Sequence, residues 1–213
     1  MPRRLARADR EEQILGIAHR AFATRGFGAV TMEEIAAEAG VTKPLLYAYF
    51  GNKDRLYEAC MEPAGDALIE SVMAALSSAD DATDALATGV RAFFHYVDSD
   101  RDAWRVVFDE TLPAGGAMAL RAAAYRERIS ELLSGTIGQS LTDEQRAHPQ
   151  TAAIVEALSV SLMAAAEQLA RWFLRTGALS AEQAADLLIA TVAPGLSRVA
   201  AMSPNNTTKD TDR

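Results

Sequence analysis

The stretch that decides the fold is residues 31–55, which read TMEEIAAEAGVTKPLLYAYFGNKDR. Thr31 followed by Glu34 forms a capping box, in which each side chain satisfies a backbone N–H at the start of a helix. The next apolar residues are spaced three and four apart, which predicts one buried face of an amphipathic helix formed by Met32, Ile35, Ala36 and Ala39. Gly40 can adopt the left-handed conformation that ends such a helix.

A second short helix is predicted directly after this turn. Thr42 is a favourable N-cap, and Pro44 falls in the first helical turn, where its missing N–H removes no intrahelical bond. Leu46 and Phe50 lie four residues apart and are expected to face inward. The opposite side then presents Lys43, Pro44, Tyr47 and Ala48, with Leu45 and Tyr49 beside them.

The exposed side of this second helix has the chemistry of a nucleic-acid contact. Hydroxyl groups and an ammonium group at the front of a helix are suited to bond phosphate oxygens and base edges. Asn52 and Lys53 extend the polar set just beyond the helix. The pattern favours a DNA-reading helix-turn-helix, and a plain helical hairpin whose tyrosines pack against the rest of the protein is the alternative.

A third helix is predicted upstream, from Arg10 to Arg25. Its buried face is expected to consist of Ile14, Ala18, Ala21 and Phe22. Gly26 followed by Phe27 indicates a helix stop with a hydrophobic contact behind it. Three helices therefore form a head over roughly the first fifty residues.

The chain resembles the TetR family of transcriptional regulators. The resemblance is carried by residues 14–59, which read ILGIAHRAFATRGFGAVTMEEIAAEAGVTKPLLYAYFGNKDRLYEA. It implies an all-α fold, with an N-terminal three-helix helix-turn-helix head and a C-terminal helical body for ligand binding and dimerisation. It also implies DNA contacts by ten residues, namely Thr31, Thr42, Lys43, Pro44, Leu45, Tyr47, Ala48, Tyr49, Asn52 and Lys53.

Within that set, the resemblance implies different roles. Thr31 and Thr42 contact phosphates at helix starts, while the residues from Lys43 to Leu45 lie nearest the base edges. The two tyrosines reach phosphates or base methyl groups, and Lys53 reaches a phosphate. The family often has glycine at the position of Pro44, so the bases that are read stay open.

The charge distribution agrees with a DNA-binding head on an acidic body. The chain of 213 residues has a net charge of -8 and a sequence pI near 4.9. Residues 1–60 contain nine basic and eight acidic residues, whereas the rest contains 12 basic and 21 acidic ones. Four arginines concentrate positive charge at the N-terminus, where an arm could contact phosphates or the minor groove; a solvated tail is the alternative.

We expect four segments along the chain. They are a basic arm over 1–9, the DNA-binding domain over 10–56, a ligand-binding and dimerisation domain over 57–202, and a disordered tail over 203–213. Body helices are expected near 53–75, with Pro63 bending or breaking the first, and near 81–97, 100–110, 118–137, 151–176 and 181–201.

The helix predicted over 151–176 is apolar on two faces. One face contains Ile154, Leu158, Leu162, Ala165, Leu169 and Trp172, and the other Val155, Met163, Ala166, Ala170 and Leu174. A helix of this kind must be buried on two sides. Together with the helix over 181–201, which Pro194 is expected to kink, it is predicted to form a homodimer interface; one large monomer core is the alternative.

The body is expected to bind a small, partly hydrophobic effector. Pockets combine large apolar side chains with a few polar groups. The expected lining is Phe93, Phe94, Trp104, Phe108, Met118, Tyr125, Met163, Gln168 and Trp172, although each aromatic residue can equally be ordinary core. The resulting function is a ligand-responsive repressor on a palindromic operator, and a helical small-molecule-binding protein without sequence-specific DNA function is the alternative.

Other classes of function find little support. The three histidines are scattered, and no catalytic motif or cofactor signature is present, so neither an enzyme nor a cofactor is expected. Asp98, Asp100 and Asp102 resemble the start of a calcium loop, but Ala103 stands where a turn glycine is needed; we interpret the run as a helix cap, not a metal site. Cys60 is expected to be buried and inert, and a cytoplasmic location without membrane contact is expected.

Overall fold

The computed structural model describes residues 6–201, with the side chains at positions 82, 83 and 193–201 left outside the description. This part of the chain contains helices and no strand, which confirms the all-α fold. In chain order the helices are α1 (Arg7–Ala29), α2 (Met32–Glu38), α3 (Lys43–Phe50), α4 (Lys53–Ser77), α5 (Ala82–Ser99), α6 (Arg101–Val107), α7 (Ala117–Gln139), α8 (Asp143–Ala147), α9 (Thr151–Thr176) and α10 (Ala181–Ala201).

Most predicted helices are present, and the differences have local causes. α1 begins three residues earlier than expected, at Arg7. α4 continues through Pro63 without a break, because buried side chains before and after the proline, such as Met61 and Leu68, hold both halves in the core. The expected arm residues 1–5 and the expected tail 203–213 lie outside the described residues.

One helix was not expected. α8 has only five residues and contains no buried side chain, so it leaves no apolar periodicity in the sequence. Its start is nevertheless fixed by a capping box in which Thr142 and Gln145 exchange hydrogen bonds. The cap alone, without a buried face, is the signal that could have revealed it.

The described chain divides into two compact units. The first comprises the described residues of Met1–Glu70 together with Ser99–Glu127, and the second those of Ser71–Asp98 and Arg128–Arg213. α6 and the first half of α7 therefore pack with the N-terminal helices, although they follow them by many residues. These units describe packing and not function. The boundary expected between the DNA-binding and ligand-binding domains, at residues 56 and 57, stays a prediction.

Three rings form the centre of the first unit. The rings of Phe22 and Phe27 both lie edge-on to that of Tyr57, with centroid distances of 4.8 and 5.1 Å. Aromatic pairs prefer this geometry, and each buries a large apolar surface. The expected α1 stripe is confirmed, since Ile14, Ala18, Ala21 and Phe22 are all buried.

The second unit has its own apolar core. Phe93 and Phe94 pack edge to face at 5.4 Å between centroids, and α9 packs against α10. The buried stripe of α9 consists of Leu162, Met163, Ala166, Ala170 and Phe173. The sequence prediction assigned Leu158, Ala165 and Leu169 to a single stripe with Leu162, but only Leu162 of these is buried in the chain.

The other face of α9 is apolar and exposed. Ile154, Val160 and Trp172 lie on the surface, and Leu187 of α10 is 52% exposed. Among the described helices, α9 is the one long and apolar enough to cross a membrane, by length and composition only. Within the chain, 28% of its most apolar window is buried. The many alanines of α9 contribute to a mean hydropathy of 1.4 in this window.

Two glycines in helices give a test of the packing. A Cβ at Gly65 of α4 would lie 2.3 Å from the Tyr125 ring, so we expect Gly65→Ala to destabilise the protein by about 1–3 kcal/mol through overpacking. Gly135 of α7 has nothing within 4 Å of its added Cβ, so Gly135→Ala should stabilise by up to ~1 kcal/mol through helix propensity. Denaturant unfolding of both variants measures the two signs. Equal effects for the two would show that Tyr125 does not fill the space beside α4.

Candidate nucleic-acid interface

Both short helices of the pair start at well-defined caps. Thr31 and Glu34 form the predicted capping box, with the Glu34 amide 3.3 Å from Thr31 Oγ1 and the Thr31 amide 2.9 Å from Glu34 Oε2. Gly40 has a φ of 64°, in the left-handed region that favours glycine. Thr42 caps α3 by accepting from the Leu45 amide, and Pro44 lies in the first turn. The local chemistry of the sequence therefore sets the turn between α2 and α3.

α3 has one buried side and one exposed side, as predicted. Leu46 and Phe50 are buried, whereas Leu45 and Tyr47 are 41% and 38% exposed. Exposed positions also include Lys43, Pro44 and Ala48, and Tyr49 is half-buried. The structure thus brings the predicted contact residues of α3 onto one accessible surface, which we call the α3 face: Lys43, Pro44, Leu45, Tyr47, Ala48 and Tyr49.

Lys43 on the α3 face is not a lone cation. Its ammonium group forms an ion pair with the Glu33 carboxylate of α2 and lies 5.8 Å from the centroid of the Tyr47 ring. The hydrogen bond in this pair raises the pKa of Lys43 and lowers the pKa of Glu33. Sequence reasoning missed Glu33, although its spacing of ten residues from Lys43 across a tight turn was visible.

The two polar residues after α3 have structural partners. Asn52 Oδ1 accepts from the Arg55 amide at 2.8 Å and so caps α4. Lys53 Nζ lies 4.2 Å from the centroid of the Phe27 ring, and burial lowers the pKa of Lys53. At the other side, the Arg7 guanidinium stands 5.4 Å from the Tyr49 ring centroid, which places one arginine of the expected arm beside α3.

A carboxylate far along the chain fixes the entrance to this helical pair. Asp109, directly after α6, accepts from the Phe27 amide at 2.7 Å through Oδ2 and from the Thr111 amide at 2.7 Å through Oδ1. The Tyr57 hydroxyl donates to the Val106 carbonyl at 2.6 Å and lies 3.2 Å from Asp109 Oδ2. We call Asp109, Thr111 and Tyr57 with these partners the Asp109 clamp.

The Asp109 clamp acts where α1 changes direction. Gly26 has a φ of 77°, and a Cβ there would lie 2.5 Å from Thr111 Oγ1, so the position suits only glycine. The same threonine accepts from the Gly28 amide at 3.1 Å. Gly26 interrupts α1 where the sequence predicted a stop, and helix geometry resumes until Ala29. The contact that holds this kink comes from residues that gave no signal in the sequence.

The predicted effector-binding residues are shared between the two units. In the first unit Trp104 and Phe108 stack at 5.4 Å and are buried; Met118 is buried, and Tyr125 is half-buried. In the second unit Phe93, Phe94 and Met163 are buried, whereas Gln168 and Trp172 are exposed. That these nine residues line one pocket stays a prediction.

Tyr125 and Cys60 are held in structural surroundings. The Tyr125 hydroxyl lies 3.3 Å from the Glu62 carbonyl and 3.2 Å from Asp66 Oδ1, and burial raises the pKa of Tyr125 to about 12. Burial likewise raises the pKa of the Cys60 thiol to about 12. Cys60 is buried, as expected. A thiol is nucleophilic only as thiolate, so this burial favours the inert character that stays a prediction.

The aspartates that resemble a calcium loop serve other purposes. Asp100 caps α6 by accepting from the Ala103 amide at 2.9 Å, as interpreted from the sequence, and Asp102 pairs with Arg105 at 3.3 Å. Among the residues that the structure describes, no group of three or more His, Cys, Asp or Glu side chains could hold a metal ion.

Two family profiles match the chain in succession. Residues 14–60 match the profile described as bacterial regulatory proteins of the tetR family. Residues 82–195 match the one described as a tetracyclin repressor-like C-terminal domain. The first covers most of α1, all of α2 and α3, and the start of α4. The second covers more than half of the chain.

Individual proteins agree with these profiles. The HTH-type transcriptional activator FasR of Mycolicibacterium smegmatis is 32% identical over 136 residues, which are 64% of this chain and 62% of FasR. A TetR-like transcriptional regulator from Rhodococcus sp. RHA1 is 30% identical, with a TM-score of 0.75 over 91% of this chain and 99% of that one. AibR in complex with isovaleryl coenzyme A and operator DNA shares the fold at 23% identity, with a TM-score of 0.70 over 87% and 98% of the two chains.

Tyr57 offers a test of the Asp109 clamp. We expect Tyr57→Phe to destabilise the protein by ~1–3 kcal/mol at neutral pH, because the buried Val106 carbonyl loses its donor. Burial raises the pKa of Tyr57 above its ordinary value of 10.0, so the folded state keeps the phenol neutral while the unfolded state ionises. Wild-type stability should therefore fall as the pH rises above 10, and the gap between wild type and variant should narrow.

Urea unfolding at pH 7 and pH 10.5 measures this gap. Tyr96→Phe is the comparison variant, because Tyr96 is also buried but does not belong to the Asp109 clamp. A gap for Tyr57→Phe that is the same at both pH values would contradict the assignment of the neutral phenol to the Asp109 clamp.

Proposed function

Since the chain belongs to the TetR family of bacterial regulatory proteins, we propose that it is a DNA-binding transcriptional regulator that represses its target and is released by a small, partly hydrophobic effector. The observation that carries the proposal is the α3 face, an exposed set of lysine, tyrosine and small side chains on a helix with fixed caps. It acts in the cytoplasm, where it meets chromosomal DNA.

α3 is the helix that enters the major groove. Its N-terminal residues Lys43, Pro44 and Leu45 reach the base edges, as the front of a recognition helix does in this motif. Tyr47, Ala48 and Tyr49 contact phosphates or base methyl groups, and Asn52 with Lys53 closes the contact at the start of α4. Thr31 and Thr42 cap α2 and α3. They contact phosphates at the starts of these two helices, through their side chains or the backbone there.

The acidity of the chain does not oppose this function. Residues 1–60 have nearly balanced charge, whereas the surplus of acidic residues lies after them. An acidic body is repelled by DNA, so it favours the orientation in which the head approaches first. Attraction to phosphates is then modest, and base contacts contribute a larger share of the affinity.

The protein acts as a homodimer through α9 and α10. The exposed apolar face of α9 includes Ala157, Ala164 and Val160, and α10 adds Leu187 beside it. Small side chains allow close approach of a second helix. A contiguous exposed apolar face marks a surface that binds another protein. Pro194, expected to kink α10, lies outside the described side chains.

A two-fold dimer presents two α3 helices to DNA. The operator is therefore an approximate palindrome whose half-sites lie about 34 Å apart or at a multiple of that spacing. The dimer can hold its two heads at a spacing that fits the operator or at one that does not. An effector that binds the second state more tightly weakens operator binding by the difference between its two binding free energies, typically ~1–3 kcal/mol. AibR, with isovaleryl coenzyme A and operator DNA bound in one complex, supports an effector that carries an apolar group.

Whether binding represses or activates follows from where the operator lies. The relative FasR is named an activator, so the same kind of head serves either outcome. A reporter gene with the selected operator placed over its promoter tests repression. Reporter output should fall when the protein is expressed and recover when an apolar effector is added. An increase in output on expression would show that the protein activates this promoter and does not repress it.

Removal of the cation and the exposed ring from the α3 face tests DNA binding. We expect Lys43→Ala combined with Tyr47→Ala to weaken binding to a duplex selected by the wild-type protein at least about thirtyfold, because one base contact alone contributes ~1–3 kcal/mol. Fluorescence anisotropy at moderate salt measures the dissociation constant. Arg128→Ala, which removes an exposed cation of α7, should leave the constant within about twofold. Wild-type affinity in the double variant would exclude α3 as the reading helix.

Charges placed on the apolar faces of α9 and α10 test dimerisation. We expect Val160→Asp with Leu187→Asp to raise the dimer dissociation constant at least about a hundredfold, because each buries a carboxylate among apolar groups. Sedimentation velocity measures it, and operator binding should weaken in parallel. Leu120→Asp changes a side chain that is 64% exposed on α7 and should leave the dimer intact. A dimer that survives the double substitution would place the interface elsewhere.

A further inference from the structure

The two glutamates at the start of α2 have separate partners. Glu34 is committed to the cap, since it accepts from the Thr31 amide and hydroxyl and also pairs with Arg25 at 3.1 Å. Glu33, one residue earlier, takes no part in the capping box and instead pairs with Lys43. Its carboxylate lies in the first turn of α2, and the side chain that it contacts on α3 is Lys43.

Lys43 is restrained from two helices. The Glu33 carboxylate holds its ammonium group from α2, and the Tyr47 ring lies 5.8 Å away on α3 itself. A free lysine has a flexible four-carbon stem, and ordering that stem at an interface costs conformational entropy. An ammonium group has three donors, so the pair with Glu33 occupies one and leaves others for DNA.

The same carboxylate opposes the attraction of Lys43 for any phosphate. Non-specific DNA binding is almost entirely the sum of such attractions. A neighbouring negative charge lowers that sum at every sequence equally, whereas the restraint on the Lys43 side chain helps only where an acceptor lies in the right place. The two effects together shift the contribution of Lys43 from non-specific to specific binding.

We infer that Glu33 is a positioning residue for sequence recognition, which aims the Lys43 ammonium group at the operator and suppresses its contact with non-operator DNA. This inference rests on the proposed function of α3 as the reading helix. Glu33 itself contacts no base; it acts through Lys43. The quantity that it controls is the ratio of the affinities for operator and non-operator duplexes.

Glu33→Gln tests the inference, because it removes the charge and keeps the shape. We expect the affinity for a scrambled duplex to rise about two- to fivefold and its salt slope to steepen by about 0.9, the value of one added phosphate contact. Affinity for the duplex selected by wild type should rise less or fall. The specificity ratio should therefore drop about three- to tenfold, since an unrestrained lysine must be ordered on binding. Fluorescence anisotropy across a salt series measures all of these.

Two controls separate positioning from general charge. Glu38→Gln removes one exposed carboxylate from the same helix without touching the Lys43 pair, and it should raise both affinities alike and leave the ratio unchanged. In the Lys43→Gln background, Glu33→Gln should also leave the ratio unchanged. Thermal unfolding should show that each variant stays folded, because the Thr31–Glu34 cap is intact.

Each outcome decides for or against the inference. A drop in the ratio that depends on Lys43 supports it. An unchanged ratio with a discriminating wild-type protein overturns it while the proposed function stands, as does an equal drop for Glu38→Gln or a drop that persists without Lys43. A wild-type protein that binds selected and scrambled duplexes equally overturns the proposed function and this inference together.

Discussion

The hydrogen bond from the Phe27 amide to the Asp109 carboxylate holds the chain at the entrance to α2 and α3. Gly26 has a positive φ of 77° and interrupts the helical backbone of α1. Asp109 fixes the next amide at 2.7 Å, and the Tyr57 ring closes the apolar side against Phe22 and Phe27. A charge-assisted bond to a backbone N–H is stronger than a neutral one, so the direction of α2 and α3 is set by a side chain that follows α6.

The electrostatics of the head differ from those of a simply basic DNA-binding surface. Lys43 is paired with Glu33, Arg25 with Glu34, and Lys53 lies over the Phe27 ring. The nearby carboxylates reduce the positive potential around Lys43 and Arg25.

The sequence predicts what is local and misses what is distant. Thr31 with Glu34, Gly40 and Thr42 act within a few residues of one another, and the structure has each in its predicted role. Asp109 and Phe27 are 82 residues apart, and no periodicity or cap connects them. α9 lies between these cases: its length and ends were predicted, whereas the assignment of its buried stripe was not, because an apolar helix with two apolar faces does not reveal which one the chain itself covers.

The order of the chain gives the Asp109 clamp a consequence during synthesis. A ribosome makes α1 to α4 first, yet the partner of the Phe27 amide and the acceptor at Val106 follow only with α6. A nascent chain that ends within α5 therefore carries a helical pair whose entrance is unsupported. The contacts at the entrance to α2 therefore form only after the residues through Thr111 have emerged, when more than half of the chain has been made.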